Sequence, residues 1–368
     1  MMHLRFPAAV IGLSLALPFG PPELARHVLF GQTPSSLQVS SWSPTWSPTA
    51  EAFLGGQIAT LNGTTYMVRS GGCGSSNCSK DLYWSKLTST GWTPGVQIPN
   101  QRSAYKVSLA AFNGFLYMVH SGYSDEEQVW ISKFDPDTET WSPNYMLSYR
   151  SYAGPPAIAV FDNRLHFVGT TREAPDENTP PYQMWTATMT AGETFTGAGP
   201  MGGWRMLGRH TSASRPSLAV YDNKLYVVHR AGETGEIQYS YRQLASVWSQ
   251  PKYLRSGPLN APVGPRFRSL EPVIASVEGY LHLLFRTPES AYVWWSYFDT
   301  CTWAAPVSLG TRQTTTGPSL TQGGYGLLLA TTYDPHDPGG FARFIAVMHF
   351  VAPSAPITPP KGCSVATQ

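Results

Sequence analysis

One segment recurs along this chain of 368 residues. Its clearest copies are VSLAAFNGFLYMVHSG (107–122), PAIAVFDNRLHFVGTT (156–171), PSLAVYDNKLYVVHRA (216–231) and EPVIASVEGYLHLLFR (271–286). Two weaker copies flank them, GQIATLNGTTYMVRSG (56–71) and GPSLTQGGYGLLLATT (317–332). Each reads as two alternating strands around a two-residue turn, such as Asn62-Gly63, Asn113-Gly114 or Asp222-Asn223. Asn, Asp and Gly tolerate the positive φ that tight hairpin turns need. Five copies continue into a third strand: LYWSKL (82–87), VWISKF (129–134), MWTATM (184–189), IQYSYR (237–242) and VWWSYF (293–298). A fourth segment then starts near Trp92, Trp141, Trp204, Trp248 and Trp303.

The second-strand positions Tyr66, Tyr117, His166, Tyr226, His282 and Leu327 are spaced by 51, 49, 60, 56 and 45 residues. A period near fifty with four strands per unit predicts an all-β chain, a six-bladed β-propeller over residues 38–352. The sixth copy lacks a W-S-P segment, and the N-terminal region supplies Trp42-Ser43-Pro44 and Trp46-Ser47-Pro48. Residues 38–50 are therefore expected to close the ring as a strand, which removes free sheet edges. Five or seven blades are the alternatives, because the sixth copy is degenerate. Composition agrees. With 34 Gly and 32 Pro the chain cannot be a helical bundle, and 47 aromatics against 48 charged residues exclude a disordered one. A net charge of +2 gives no electrostatic ground for a nucleic-acid partner.

The ends read differently. Arg5 precedes an apolar run from Phe6 to Phe19, so residues 1–30 read as a secretory leader. That run is short for a membrane span. The competing reading is an apolar segment packed on the domain. Residues 353–368 form a Pro-rich tail. Cys73 and Cys78 flank a four-residue loop, and a bond between Cys301 and Cys363 would fasten the tail. An even count without C-x-x-C fits disulfides in a secreted, extracellular protein; four free thiols are the alternative.

A second pattern lies between third and fourth strands. Ser132-Lys133-Phe134-Asp135 runs through Asp137 to Thr140-Trp141, and Ser296-Tyr297-Phe298-Asp299 to Thr302-Trp303. These turns resemble a degenerate Asp-box without its central Gly. The unit PSLAVYDNKLYVVHRA with IQYSYR is similar to sialidase-like and lectin-like β-propeller repeats. A sialidase-like site would imply three arginines clamping a carboxylate, a Tyr–Glu nucleophile pair and an Asp acid. Arg69, Arg230 and Arg286 end second strands and are the candidates for that clamp, since a guanidinium binds carboxylate bidentately. No Tyr–Glu pair stands out, and Ser121 and Thr170 replace the Arg in other copies. Solvated strand-end arginines are the plain alternative.

Glycosidase chemistry by two carboxylates finds no acidic pair singled out. His120, His166, His229 and His282 fall one per blade and form no metal pattern. Asp334 and Asp337, on either side of the lone His336, could at most hold a weak structural calcium, with a plain solvated turn as the alternative, so no cofactor is expected. Sugar recognition fits better, because lectins set flat aromatic faces among polar groups. Trp84, Trp130, Trp185, Tyr239 and Trp295 recur once per copy, Trp130 one place early, near Ser85, Ser132, Thr186, Ser240 and Ser296. Arg69, His120, His229, Arg230 and Arg286 stand at the second-strand exits. The sequence thus predicts non-catalytic, lectin-like binding of glycans or glycoconjugates at repeated sites. A sialidase-like hydrolase and a protein-interaction platform are the alternatives. Packing between blades competes as the role of each aromatic. The loops 70–81, 121–128 and 171–183 are expected on one common face.

Overall fold

The computed structural model describes residues 43–46, 56–71, 79–122, 128–148, 154–171, 182–191, 203–231, 234–255, 257–258, 271–277, 279–287, 292–298, 302–313, 318–323, 326–333 and 344–350. All four cysteines lie outside them, as do residues 1–30, Asp299, the Asp334–Asp337 turn and the tail. Among the described residues no helix is long and apolar enough to cross a membrane.

The chain is an all-β propeller with antiparallel sheets. A short strand β1 (Ser43–Trp46) comes first. Blade one holds β2 (Gly56–Leu61), β3 (Thr64–Ser70), β4 (Asp81–Thr88), β5 (Gly91–Trp92) and β6 (Val96–Arg102). Blade two holds β7 (Ser108–Phe112), β8 (Phe115–Ser121), β9 (Val129–Asp135), β10 (Thr140–Trp141) and β11 (Tyr145–Ser148). Blade three is β12 (Ala157–Phe161), β13 (Arg164–Thr170), β14 (Gln183–Thr190) and β15 (Arg205–Thr211). Blade four is β16 (Ser217–Tyr221), β17 (Lys224–Arg230), β18 (Ile237–Gln243) and β19 (Lys252–Tyr253). Blade five holds β20 (Gly257–Pro258), β21 (Val273–Val277), β22 (Tyr280–Arg286), β23 (Tyr292–Phe298), β24 (Thr302–Trp303) and β25 (Val307–Gln313). Five blades thus stand where the sequence predicted six, five being its stated alternative, because the degenerate sixth copy does not repeat the full blade pattern. The remaining strands, β26 (Ser319–Gly323), β27 (Gly326–Tyr333) and β28 (Phe344–Phe350), are described mainly by backbone pairing, in the order β1-β28-β27-β26.

The hairpins explain why the repeat folds this way. Asn62-Gly63, Asn113-Gly114, Asp162-Asn163 and Asp222-Asn223 all carry positive φ at both turn residues. That geometry matches the twist of the flanking strands and fixes register. Ala59 therefore pairs with Tyr66, Ala110 with Tyr117, Ala159 with His166 and Ala219 with Tyr226.

Alternation then gives the described sheets of blades two to four two apolar faces, each buried against a neighbour. Tyr66, Val68 and Trp84 of blade one pack on Leu116 and Met118 of blade two. Tyr117, Val119 and Ile131 pack on Leu165 and Phe167 of blade three. The same scheme joins Val168 to Val227, and Val228 and Tyr239 to Leu283 and Phe285. Serines opening the inner strands stitch the seams. Ser108 Oγ donates to the Pro156 carbonyl at 2.6 Å, and Ser217 Oγ accepts from the Ile274 amide at 3.1 Å. Ser319 Oγ accepts from the Ile58 amide at 3.2 Å.

An Asp-box is not shown among the described residues; the turn between β9 and β10 holds two contacts. Asp135 Oδ1 accepts from the Asp137 amide at 2.9 Å, and Trp141 lies 5.3 Å from the Phe134 ring. Both contacts are local and structural.

Candidate functional site

The second strands run toward the ends that carry the predicted cationic residues, and register decides where each side chain goes. Counting from the paired positions Tyr66, Tyr117 and Tyr226, residue three onward is Arg69, His120 or His229. Residue four onward is Ser70, Ser121 or Arg230, and Arg286 in blade five. Arg69 is thus not equivalent to Arg230 and Arg286. It belongs with the histidines on the other face, because successive residues point to opposite sides of a strand.

That face is sealed. Arg69 is 7% exposed, donates from Nη1 to the Ser70 carbonyl at 3.2 Å and lies 5.1 Å above the Tyr83 ring. Burial holds its pKa below the ordinary arginine value. His120 is buried and bridges the Ser121 carbonyl (3.1 Å) and the Asn144 side-chain amide (3.0 Å). His229 is buried 6.2 Å from the His210 ring, and burial with that neighbour lowers its pKa to about 3.

The aromatic column divides in the same way. Trp84, Tyr239 and Trp295 pair with Val68, Val228 and Leu284. Trp130 and Trp185 pair with His120 and Gly169, one position off. The expected single column is therefore two columns on opposite faces. Trp84 packs on Tyr66 and Phe134 at 6.2 and 4.8 Å, and Tyr239 on Trp303 at 6.3 Å. Trp295 stacks on His282 and donates its Nε1–H to His282 Nδ1 at 3.1 Å. Trp185 is buried as well, and Trp130 is half-buried beside Gly122. Trp84, Tyr239 and Trp295 fill seams between neighbouring sheets. The serines beside them bond inside the fold: Ser132 Oγ donates to Gln101 Oε1 (3.0 Å), Ser240 Oγ meets His210 Nε2 (2.7 Å), and Ser296 Oγ donates to the Ala304 carbonyl (2.7 Å).

Arg230 and Arg286 have a different setting. Both are half-buried and line one cavity of about 340 Å³, together with Tyr105, Lys106, Arg215 and Glu271. Arg230 Nε is buried with no hydrogen-bond partner, and its guanidinium lies against Gly235. A larger channel of about 620 Å³ continues between the inner strands; Lys106, Arg215 and Glu271 line both spaces. Arg215 straps across from blade four to blade two. It donates to the carbonyls of Lys106 (3.0 Å) and Val107 (2.8 Å) and to Ser108 Oγ (2.6 Å). Lys106 Nζ in turn donates to the Pro318 carbonyl at 2.9 Å. Desolvation and the Arg215 charge lower the Lys106 pKa to about 7, opposed by Glu271. Desolvation lowers Arg215 to about 10, again opposed by Glu271.

Of the ten residues expected to bind ligand, then, the structure brings Arg230 and Arg286 together in a cavity. Lys106, Arg215, Glu271 and Tyr105 were missed by the sequence reading. Their signal was present one step outside the repeat: Lys106, Arg215 and Glu271 stand just before or at the start of VSLAAF, PSLAVY and EPVIAS. The pocket holds four cations against one carboxylate among the described lining residues. Such a site attracts an anionic group, and forked guanidinium donors suit a carboxylate or sulfate. Among the described residues no cluster of three His, Cys, Asp or Glu could hold a metal ion.

No family model and no curated protein matches the sequence. The fold does match solved structures. A Dyadobacter fermentans protein of unknown function aligns with a TM-score of 0.56 at 12% identity, over 81% of this chain and 94% of that one. The Hadza microbial sialidase Hz136 aligns at 0.53 and 14% identity, over 81% of this chain and 65% of its own. The Trypanosoma rangeli sialidase aligns at 0.54 and 10% identity, over 81% of this chain and 55% of its own. The chain has the β-propeller fold of sialidases and covers less than two thirds of both sialidases' length.

Proposed function

We propose that this propeller binds glycans without cleaving them, holding the anionic group of an acidic sugar on Arg230 and Arg286. The observation that carries the reading is the convergence of those two arginines with Arg215 and Lys106 in one cavity of about 340 Å³. The pocket's size suits a single sugar unit, and its four cations suit one negative group. Solved sialidases share the fold, which supports a sugar as the ligand class.

A sialidase-like glycoside hydrolase is the second reading, and one observation favours it: Tyr105 and Glu271 line the same cavity as three arginines. Glu271 is the single carboxylate among the described lining residues, whereas hydrolysis by paired carboxylates needs two. A glycan array and fluorogenic sialosides separate the two. Retention of acidic glycans without turnover supports the binding reading; turnover lost in Arg230→Ala overturns it. Absence of any glycan at high protein concentration would leave a protein-interaction platform.

The proposal extends to the frame. We place the binding face on a propeller ring whose last sheet is completed by Ser43–Trp46. The antiparallel pairing of Ser43 with His349 and Trp46 with Val347, and the bond between Ile58 and Ser319, support it. Secretion and the bonds Cys73–Cys78 and Cys301–Cys363 belong to the same reading. Mass spectrometry of the mature N-terminus and a thiol count test them.

A further inference from the structure

We propose that Lys106 makes anion binding in this pocket pH-dependent, so that acidic ligands are held tightly when its ammonium is charged and released as it deprotonates. The inference rests on the pocket reading above for its ligand, and on a separate set of contacts for its mechanism. Lys106 sits where the pocket opens into the channel and lines both. Its ammonium is fixed by the Pro318 carbonyl at 2.9 Å, and its own carbonyl is fixed by Arg215 at 3.0 Å. The amine therefore has a set position rather than a freely swinging stem.

The groups facing the pocket come from four segments. Arg215 precedes β16, Arg230 ends β17, Glu271 precedes β21 and Arg286 ends β22; Tyr105 is the neighbour on its own segment. Arg215 and desolvation push the amine toward the neutral form, and Glu271 pulls it back. An arginine cannot act as the switch here, because guanidinium stays charged through neutral pH. The described histidines are not competitors either. His120, His166, His210, His229 and His282 all lie below the ordinary imidazole range through burial. Lys106 alone among the shifted groups has its transition brought to about 7.

The sign follows directly. A ligand of constant negative charge meets one more cation below about 7 than above it. Its affinity falls as pH rises through that value, and bound ligand in turn favours the protonated amine.

The experiment is calorimetric titration of the full chain at pH 6.5 and 8.5. Probes are N-acetylneuraminate, glucuronate and inorganic sulfate, with glucose as the neutral control. Wild type should lose roughly tenfold in affinity for the acidic probes over that interval. Lys106→Arg keeps a charge and should bind at both pH values with no slope. Lys106→Met should bind at pH 6.5 as weakly as wild type does at 8.5, again with no slope. Thermal melts of each variant check folding. Binding of an acidic sugar with a flat pH profile in wild type overturns the inference and leaves the glycan reading standing. A slope for sulfate without any sugar binding keeps the inference and sinks the glycan reading. A slope that survives in Lys106→Met assigns the titration elsewhere and overturns the inference.

Discussion

Arg69 and Arg230 both stand at the loop-side end of a second strand, yet they occupy different worlds. Arg69 is 7% exposed and lies over Tyr83 of its own blade. Arg230 stands one register position later, in a cavity shared with Arg286, Arg215 and Lys106. The difference is one position at the strand end, and with it the parity of the side chain. The earlier position turns onto an aromatic ring of its own sheet, while the later one in blades four and five opens on the cavity. Of the three strand-end arginines, only the two at the later position line the pocket.

The comparison can be broken, and the strongest test is acid. His166, His229 and His282 are buried in the seams as neutral rings, with pKa values lowered to about 4, 3 and 4. Above the unfolded value near 6.5 they are neutral in both states and add no slope. Below it the unfolded chain takes up protons first, so stability falls steadily toward pH 4. The total is several kcal/mol by order of magnitude. Melting curves from pH 7.5 to 4 should show this loss; a flat profile would mean the seams admit charge.

Trp84→Ala comes next. Removing a ring held between Tyr66 and Phe134 should cost about 3–5 kcal/mol in chemical denaturation. A third test leaves the seams alone. Arg230→Ala with Arg286→Ala removes two charge-assisted contacts and should cut acidic-glycan affinity about a hundredfold. Melting temperature should stay within a few degrees of wild type. The smallest effect sharpens the contrast most. Arg69→Met should cost about 1–2 kcal/mol of stability and leave glycan affinity unchanged. Loss of binding in Arg69→Met would show that parity does not separate the two roles.

Much of the fold was legible in the sequence, because the repeat writes the same hairpin over and over. Asn-Gly and Asp-Asn turns announced positive φ, and the structure has it at those positions. Ser217 and Ser319 open inner strands and make seam bonds, a role the sequence reading did not single out. The site was less legible for two physical reasons. First, aligned motifs hide a one-residue offset: Trp130 stood visibly one place early, but Trp185 read as a full member of the Trp84 column, although both face the other way. Second, pocket residues gather from six segments spread along the sequence. Lys106 and Arg215 are 109 positions apart, and only the closed-up sheets bring a guanidinium onto that carbonyl. No local pattern carries such a contact.

The hairpin turns carry a further consequence, since they lie at the opposite rim from the pocket. Asp222 and Asn223, both left-handed, set the pairing of Tyr221 with Lys224 and every pair after it up to Ser217 with Val228, two residues short of Arg230. Inserting one residue there would turn β17 over and exchange the environments of His229 and Arg230. The ligand chemistry of one rim is thus dictated from the other, through rigid strands that transmit phase as a camshaft does. Anyone reshaping the pocket by altering its own loops would leave that control untouched; altering a single distant turn would rewrite it.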